Sequence, residues 1–230
     1  MRLAKSHVDI GLFTNDIERQ RAFWSETVGL RFDHRLDFGT GMFQYRYDAH
    51  GSVVKVNHFP TPLPARRPSG IAALTIARVA GPVWEGRDPD GDRVRLVPSG
   101  TEGVVGIGIT LASPNPLLML EFYVEVMEFE KVAPLTARCG DTLLFFESGP
   151  AVDNDPQSFI GGPAFRYLTI QIFDADAACN EIVARGGRLG SAPVNFFQIA
   201  RYGFVLDPDG NWIEMSARAS LTGILPPEPK

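Results

Sequence analysis

One four-residue turn occurs twice in the sequence, and each copy is followed by the pattern of a short strand. Asp207-Pro208-Asp209-Gly210 precedes NWIEM, and Asp88-Pro89-Asp90-Gly91 precedes DRVRLV. Proline in the second place presets φ and glycine in the fourth permits a positive φ, so both copies predict tight turns between strands. Glu214 in one copy corresponds to Arg95 in the other. A chain that repeats a turn and a strand in this way favours a fold built from a repeated unit.

The repeated unit has the order β-α-β-β-β. In the first copy, residues 7–13 (HVDIGLF) predict a strand, residues 17–28 predict a helix, and three strand patterns occupy residues 30–59. The segments AFWSETVGLRFD and EFYVEVMEFEKV, from the first and third copies, share one pattern of aromatic pairs. The second copy has no room for a helix before its turn. We therefore predict an α+β fold of four βαβββ modules, with the second module shortened.

Two segments rich in proline or glycine interrupt the modules, at residues 60–68 and 149–163. Such segments are typical of linkers. We predict an N-terminal domain over residues 1–100, a C-terminal domain over residues 101–220 and a tail over residues 221–230.

Composition excludes several classes of partner. The formal net charge is -5 and the pI is about 5.4, with no basic stripe, so nucleic acid is not an expected ligand. Cys139 and Cys179 are the only cysteines and lack metal-site spacing, which favours a reducing compartment. No apolar run is long enough for a signal peptide or a membrane span. We expect a cytoplasmic protein with no membrane partner.

Two segments of the sequence resemble a known superfamily. Paired modules with HVDIGLFTNDIERQRAFWSETVGL at one end and GFVLDPDGNWIEM at the other are similar to the vicinal oxygen chelate superfamily, which includes glyoxalase I, extradiol dioxygenases and bleomycin resistance proteins. The resemblance implies two tandem glyoxalase-like domains whose sheets curl into half-barrels. It also implies a divalent metal held by the first and last strands of paired modules.

The resemblance assigns metal-binding places to particular residues. His7 and Glu214 suit a metal, whereas Lys55 and Arg95 occupy equivalent places and do not. His7 and Glu214 can share one metal only if modules one and four pair. The alternative pairing, one with two and three with four, remains open from the sequence.

Other residues are candidates for chemistry or for substrate contacts. Tyr167 and Lys55 are candidate acid/base groups, and Gln171, Arg95 and Phe197 are candidate substrate contacts. Inward-facing Lys55 and Arg95 would favour an anionic substrate, and aromatic residues on the middle strands would favour an aromatic one.

The resemblance therefore implies a small-molecule enzyme, an isomerase, lyase or ring-cleaving dioxygenase acting on adjacent oxygens. Its metal would be Fe, Mn, Zn, Ni or Co, but the incomplete ligand set argues equally for no metal. The alternatives are a non-catalytic binding protein of the bleomycin-resistance type and a metal-free enzyme. A homodimer would cover the sheet edge left by the shortened second module.

Overall fold

The computed structural model describes residues 1–152, 159–223 and 225–226. Its strands and helices follow the four-module pattern. Module one contains β1 (Asp9–Thr14), α1 (Ile17–Ala22, continued by a π-helical turn over Phe23–Thr27), β2 (Arg31–Asp37), β3 (Phe43–Ala49) and β4 (Ser52–His58). Module two contains β5 (Ile71–Arg78), β6 (Trp84–Arg87) and β7 (Arg93–Pro98).

The second half of the chain is built in the same way. Module three contains β8 (Ile107–Ser113), α2 (Pro116–Glu121, continued by a π-helical turn over Phe122–Val126), β9 (Glu130–Ala133), β10 (Thr136–Cys139) and β11 (Thr142–Ser148). Module four contains β12 (Ala164–Gln171), α3 (Ala175–Ala184), β13 (Arg188–Phe196), β14 (Ala200–Leu206) and β15 (Trp212–Arg218), followed by α4 (Ala219–Thr222).

The predicted α+β fold of repeated modules is confirmed, including the missing helix of module two. Asp16, Asn115 and Asp174 each cap a helix by accepting a hydrogen bond from a backbone N–H three residues ahead. The sequence patterns did not predict β6, β9 and β10, nor the first part of β13. In β13 the segment RLGSAPVNF contains glycine and proline, and the strand accommodates them with two irregularities in its pairing to β14.

The sheets pair the outer modules with each other and the inner modules with each other. Modules one and four form an eight-stranded sheet, in the order β13-β14-β15-β12-β1-β4-β3-β2. Modules two and three form a seven-stranded sheet, in the order β6-β7-β5-β8-β11-β10-β9. Each sheet therefore takes strands from both sides of residue 100. Strand β6 lies at one edge, and the predicted homodimer that would cover such an edge stays a prediction.

The residues of β1 alternate between the two faces of the eight-stranded sheet. Ile10 and Leu12 belong to the large apolar core, which also contains Trp24 and Tyr123 from the π-helical turns that follow α1 and α2. Phe13, on the opposite face, belongs to a separate aromatic cluster. Asp9 and Gly11 share this second face by the period of two along a strand. This face carries the candidate site.

The two Asp-Pro-Asp-Gly turns share one hydrogen-bonding scheme. Asp207 Oδ1 accepts hydrogen bonds from the N–H groups of Asp209 and Asn211, and Asp88 Oδ1 accepts the corresponding pair from Asp90 and Asp92. The first aspartate of each turn also accepts a hydrogen bond from a side chain of a helical segment. The Tyr123 hydroxyl donates to Asp207 at 3.2 Å. The Gln20 amide donates to Asp88 at 2.9 Å.

Residues 153–158, within the second predicted linker, and residues 224 and 227–230 of the predicted tail lie outside the described residues. No helix in the described part of the chain is long and apolar enough to cross a membrane.

Candidate functional site

A cavity of about 340 Å³ opens on the eight-stranded sheet between modules one and four. Ligand pockets in proteins generally occupy roughly 300–1,000 Å³, so a small organic molecule fits this volume. One wall is aromatic and a set of polar side chains occupies the other. The aromatic wall includes Phe13, Phe38, Phe59, Phe159, Phe196, Tyr202 and Phe204, and the polar wall includes Gln44, Arg46, Lys55, Asn57, Tyr167, Gln171, Glu214, Ser216 and Arg218.

Lys55 and Glu214 meet across this cavity. Each lies four residues after the glycine of its module's turn, Gly51 and Gly210, so they are equivalent positions of modules one and four. Lys55 Nζ lies 2.9 Å from Glu214 Oε2. It also donates to the Thr169 hydroxyl at 2.6 Å, which in turn donates to Glu214 Oε2 at 2.7 Å. The three side chains therefore form a closed triangle of hydrogen bonds.

Lys55 is only 3% exposed, and this burial lowers the pKa of its ammonium group because the charged form loses hydration. The nearby carboxylates of Glu214 and Asp9 oppose that effect. The amine of Lys55 is therefore easier to deprotonate than a lysine on the surface.

The Tyr167 hydroxyl is held by two amides. It accepts hydrogen bonds from Asn57 Nδ2 at 3.1 Å and from Gln44 Nε2 at 3.4 Å. Burial, reinforced by the charge of Glu214, raises the pKa of Tyr167 well above its ordinary value. The hydroxyl therefore stays protonated, and its hydrogen is available to an acceptor in the cavity.

Four of the seven predicted site residues line the one cavity: Lys55, Tyr167, Gln171 and Glu214. Their assigned roles stay predictions. The sequence analysis did not single out Arg46, Asn57, Gln44 and Arg218, which line the same cavity.

His7 is placed elsewhere. Its Nδ1 lies 2.7 Å from Asp141, a residue of the inner-module sheet region, and the structure does not bring it to Glu214. The helix caps explain the difference in register. In module four, Tyr167 lies seven residues before the helix cap Asp174. In module one, the residue seven places before the cap Asp16 is Asp9, and His7 lies nine places before it. Counting back from the caps would have identified Asp9 as the counterpart of Tyr167.

Arg95 and Phe197 also lie outside the cavity lining. Arg95 is on β7 of the other sheet, where it donates to Glu85 at 2.8 Å and to both oxygens of Glu102 at 3.0 and 3.1 Å. Phe197 is 64% exposed, and its ring packs on Phe196, which does line the cavity. The cavity is therefore lined by the neighbouring side chain, Phe196, and not by the predicted Phe197.

The donor set does not suit a divalent metal. Glu214 Oε2 is occupied by the Lys55 ammonium and the Thr169 hydroxyl, and Asp9 is bound by Lys5 at 2.5 Å. An ammonium group cannot ligate a metal and repels one. Within residues 1–152, 159–223 and 225–226, no group of three or more His, Cys, Asp or Glu residues could hold a metal ion.

Comparison with known proteins agrees with the fold. Residues 109–215 match the model of the Glyoxalase/Bleomycin resistance protein/Dioxygenase superfamily. Glyoxalase I from Zea mays superposes with a TM-score of 0.71 at 13% identity, covering 94% of this chain and 92% of that chain. The cppA protein from Streptococcus pneumoniae superposes with a TM-score of 0.59 at 10% identity, covering 94% of this chain and 100% of that chain. No curated protein matches the sequence.

The fold is glyoxalase-like, and its outer-module sheet carries the cavity. The resemblance to the vicinal oxygen chelate superfamily is confirmed: residues 109–215 match the superfamily model, and nearly the whole chain shares the fold of glyoxalase I.

Proposed function

We propose that this chain is an enzyme that transfers a proton on a small carbonyl substrate without a metal. Lys55 and Glu214 serve as the proton-transfer pair, and Tyr167 donates a hydrogen bond to the substrate oxygen. The observation that carries this proposal is the buried Lys55 amine, which lines the cavity and lies 2.9 Å from a carboxylate.

A buried lysine beside a carboxylate can act as a base. When the ammonium proton moves to Glu214, a neutral amine remains in an environment where burial already disfavours the charged form. That amine can accept a proton from a carbon next to a carbonyl group. The Lys55 ammonium can exchange this proton with solvent and then protonate the same carbon, which completes a hydrogen exchange. Where the enolate is conjugated with a double bond, protonation at the far carbon of that system gives an isomerisation instead. In both cases the proton on Glu214 finally returns to the Lys55 amine.

Tyr167 supplies the stabilisation of the developing negative charge on oxygen. Asn57 donates to the tyrosine oxygen, so the tyrosine hydrogen is left for the substrate oxygen. A fixed hydrogen-bond donor stabilises the negative oxygen of an enolate more than the neutral oxygen of the starting ketone. The aromatic wall supports an apolar or aromatic body on the substrate.

The test is solvent deuterium exchange at the carbon next to the carbonyl of butyrophenone and of benzoylpropionate, followed by NMR. We expect exchange faster than in buffer, a loss of at least tenfold in Lys55→Met, and a smaller loss in Tyr167→Phe. Lys131→Met, an exposed lysine of β9, is the matched control and should exchange like the wild type. Exchange at the wild-type rate in Lys55→Met would contradict the proposal.

Elemental analysis of untagged protein tests the metal-free part of the proposal. A stoichiometric metal that disappears in Glu214→Ala would overturn it, because the carboxylate would then be a ligand instead of the partner of Lys55.

A second candidate is a non-catalytic binding protein. The closed triangle of Lys55, Thr169 and Glu214 favours it, because these groups satisfy one another without a substrate. Saturable binding of butyrophenone with no accelerated exchange, in wild type and Lys55→Met alike, would support this candidate over the enzyme.

A further inference from the structure

We infer that Arg46 and Arg218 form a carboxylate-binding site at one end of the cavity, so that the ligand is an aromatic or apolar carboxylic acid. The inference rests on the proposed function for the role of the ligand as substrate. The two arginines are not the cations that the sequence predicted for an anionic substrate, which were Lys55 and Arg95.

The two arginines lie where two cavities meet. Arg46, Gln171 and Arg218 line the cavity described above, and the same three residues line a neighbouring cavity of about 440 Å³. Arg46 is on β3 beside Lys55, and Arg218 ends β15. A ligand at that end of the first cavity therefore lies beside both arginine side chains.

The hydrogen bonds of Arg46 are incomplete. It is 5% exposed, and its Nη1 donates to Gln44 Oε1 at 2.6 Å. Its buried Nε has no partner in the described part of the chain. An unpaired buried donor on a charged group is costly, and a carboxylate oxygen is its natural acceptor.

The positive charges of the two arginines are not neutralised at short range. Lys55 is paired with Glu214, and Lys5 with Asp9. Among the described residues, neither Arg46 nor Arg218 has a carboxylate within ion-pair distance. Asp33, which lines the second cavity, is 2.9 Å from His34 instead. Burial lowers the pKa of Arg218, and the positive charge of Arg46 lowers it further. The carboxylates of Asp9, Glu214 and Asp33 oppose this effect from beyond ion-pair distance.

A neighbouring amide completes the polar end of the cavity. Gln171 is buried, and its Oε1 has no partner within the described residues. The two ends of an amide have the same shape, so Gln171 can turn to donate its NH₂ group to an anion. Two guanidinium groups and one amide match the planar, two-oxygen geometry of a carboxylate. The aromatic wall at the other side then contacts the apolar part of the acid.

The experiment compares hydrocinnamate with hydrocinnamamide, which has the same shape and no charge, by isothermal titration calorimetry. We expect the wild type to bind the acid at least tenfold more tightly than the amide. Arg46→Gln and Arg218→Gln should each remove this preference. Arg138→Gln, an exposed arginine of β10 paired with Glu130, is the control and should keep it.

Several results would overturn the inference. Equal binding of the acid and the amide to the wild type would do so, as would an unchanged preference in Arg218→Gln, or no binding of either compound. Displacement of hydrocinnamate by inorganic phosphate at a lower concentration than by acetate would assign the site to a phosphate group instead. Circular dichroism of each variant verifies that the fold is retained.

The inference and the proposed function fail in different ways. A protein that prefers the acid through both arginines but does not exchange deuterium keeps the carboxylate site and loses the enzyme. A protein that exchanges butyrophenone without any preference for acids keeps the enzyme and loses the carboxylate site.

Discussion

The two sheets place different side chains at equivalent positions. On the outer-module sheet, the buried Lys55 and the partly buried Glu214 form an ion pair beside a cavity. On the inner-module sheet, Arg95 takes the corresponding place and is held by Glu85 and Glu102, both of which are exposed. In module three the equivalent residue is the apolar Phe145. It pairs with Thr110 as Glu214 pairs with Thr169, and its ring lies against Gly108.

The comparison shows how one repeated position can serve two purposes. Lys55 is buried and, among the residues that the structure describes, has one charged partner within ion-pair distance, and burial lowers the pKa of its ammonium group. A charge near the surface has several partners and remains fully ionised. The following substitutions test this difference, in order of decreasing expected effect.

Glu214→Gln should lower the free energy of unfolding most, by about 3 kcal/mol, because it leaves the buried Lys55 ammonium without a counter-charge. Loss of Glu214 also lowers the pKa of Lys55 further, and a lysine with a depressed folded-state pKa favours folding more as pH rises. The deficit should therefore shrink at alkaline pH. Urea unfolding measures it.

The double variant with Lys55→Met and Glu214→Leu is the control for this substitution. It removes both charges together and should recover most of the stability. An unfolding free energy for Glu214→Gln equal to that of the wild type would show that the ion pair contributes nothing.

Gly11→Ala should destabilise the protein by about 2 kcal/mol through overpacking. A Cβ at this position would lie 2.1 Å from the Tyr167 ring, so the ring must move and the cavity must change shape. Gly108→Ala is the matched variant on the other sheet, where the nearest contact is 2.7 Å to the half-buried Phe145. We expect weakened hydrocinnamate binding only in Gly11→Ala. Equal binding by the two variants would contradict this.

Asp92→Asn should change how stability depends on pH. Burial and the neighbouring Asp88 raise the pKa of Asp92 to about 7. The folded state then holds a proton that the unfolded state releases near pH 4, so stability falls as pH rises between roughly 4 and 7. The variant has asparagine at this position, as the other turn has at Asn211. Its stability should fall less between about pH 5 and about pH 8, as measured by the urea midpoints.

Arg95→Gln should have the smallest effect, a loss of about 0.5 kcal/mol, because its acidic partners are exposed and surface ion pairs contribute little. Hydrocinnamate binding should be unaltered. Thermal unfolding and calorimetry measure the two quantities, and a loss as large as that of Glu214→Gln would remove the distinction between the sheets.

Local patterns predicted the modules and the equivalence of Lys55 with Glu214, because these depend on strand periodicity and turn chemistry within a few residues. They did not decide which modules pair, since that choice depends on packing between distant strands. The register of β1 was placed two residues too early at His7. A shift of two keeps a residue on the same face, so the hydrophobic alternation does not reveal it.

Arg46 and Arg218 could not be predicted as site residues. In a strand pattern, arginine at alternate positions is typical of a solvated face, and only the closure of the sheet shows that these two side chains face a cavity. The same holds for Gln44 and Asn57, whose role depends on Tyr167 from the other module.

Modules two and three lie between modules one and four in sequence, so the inner sheet can assemble before the outer one. Lys55 and Glu214 are 159 residues apart in sequence. During synthesis, all strands of the inner sheet leave the ribosome before β12 does, so that sheet can close first. Until then β1 presents an unpaired edge, which is a site for pairing with other chains. A chain stalled before β12 would carry a finished inner sheet, an exposed edge and no cavity.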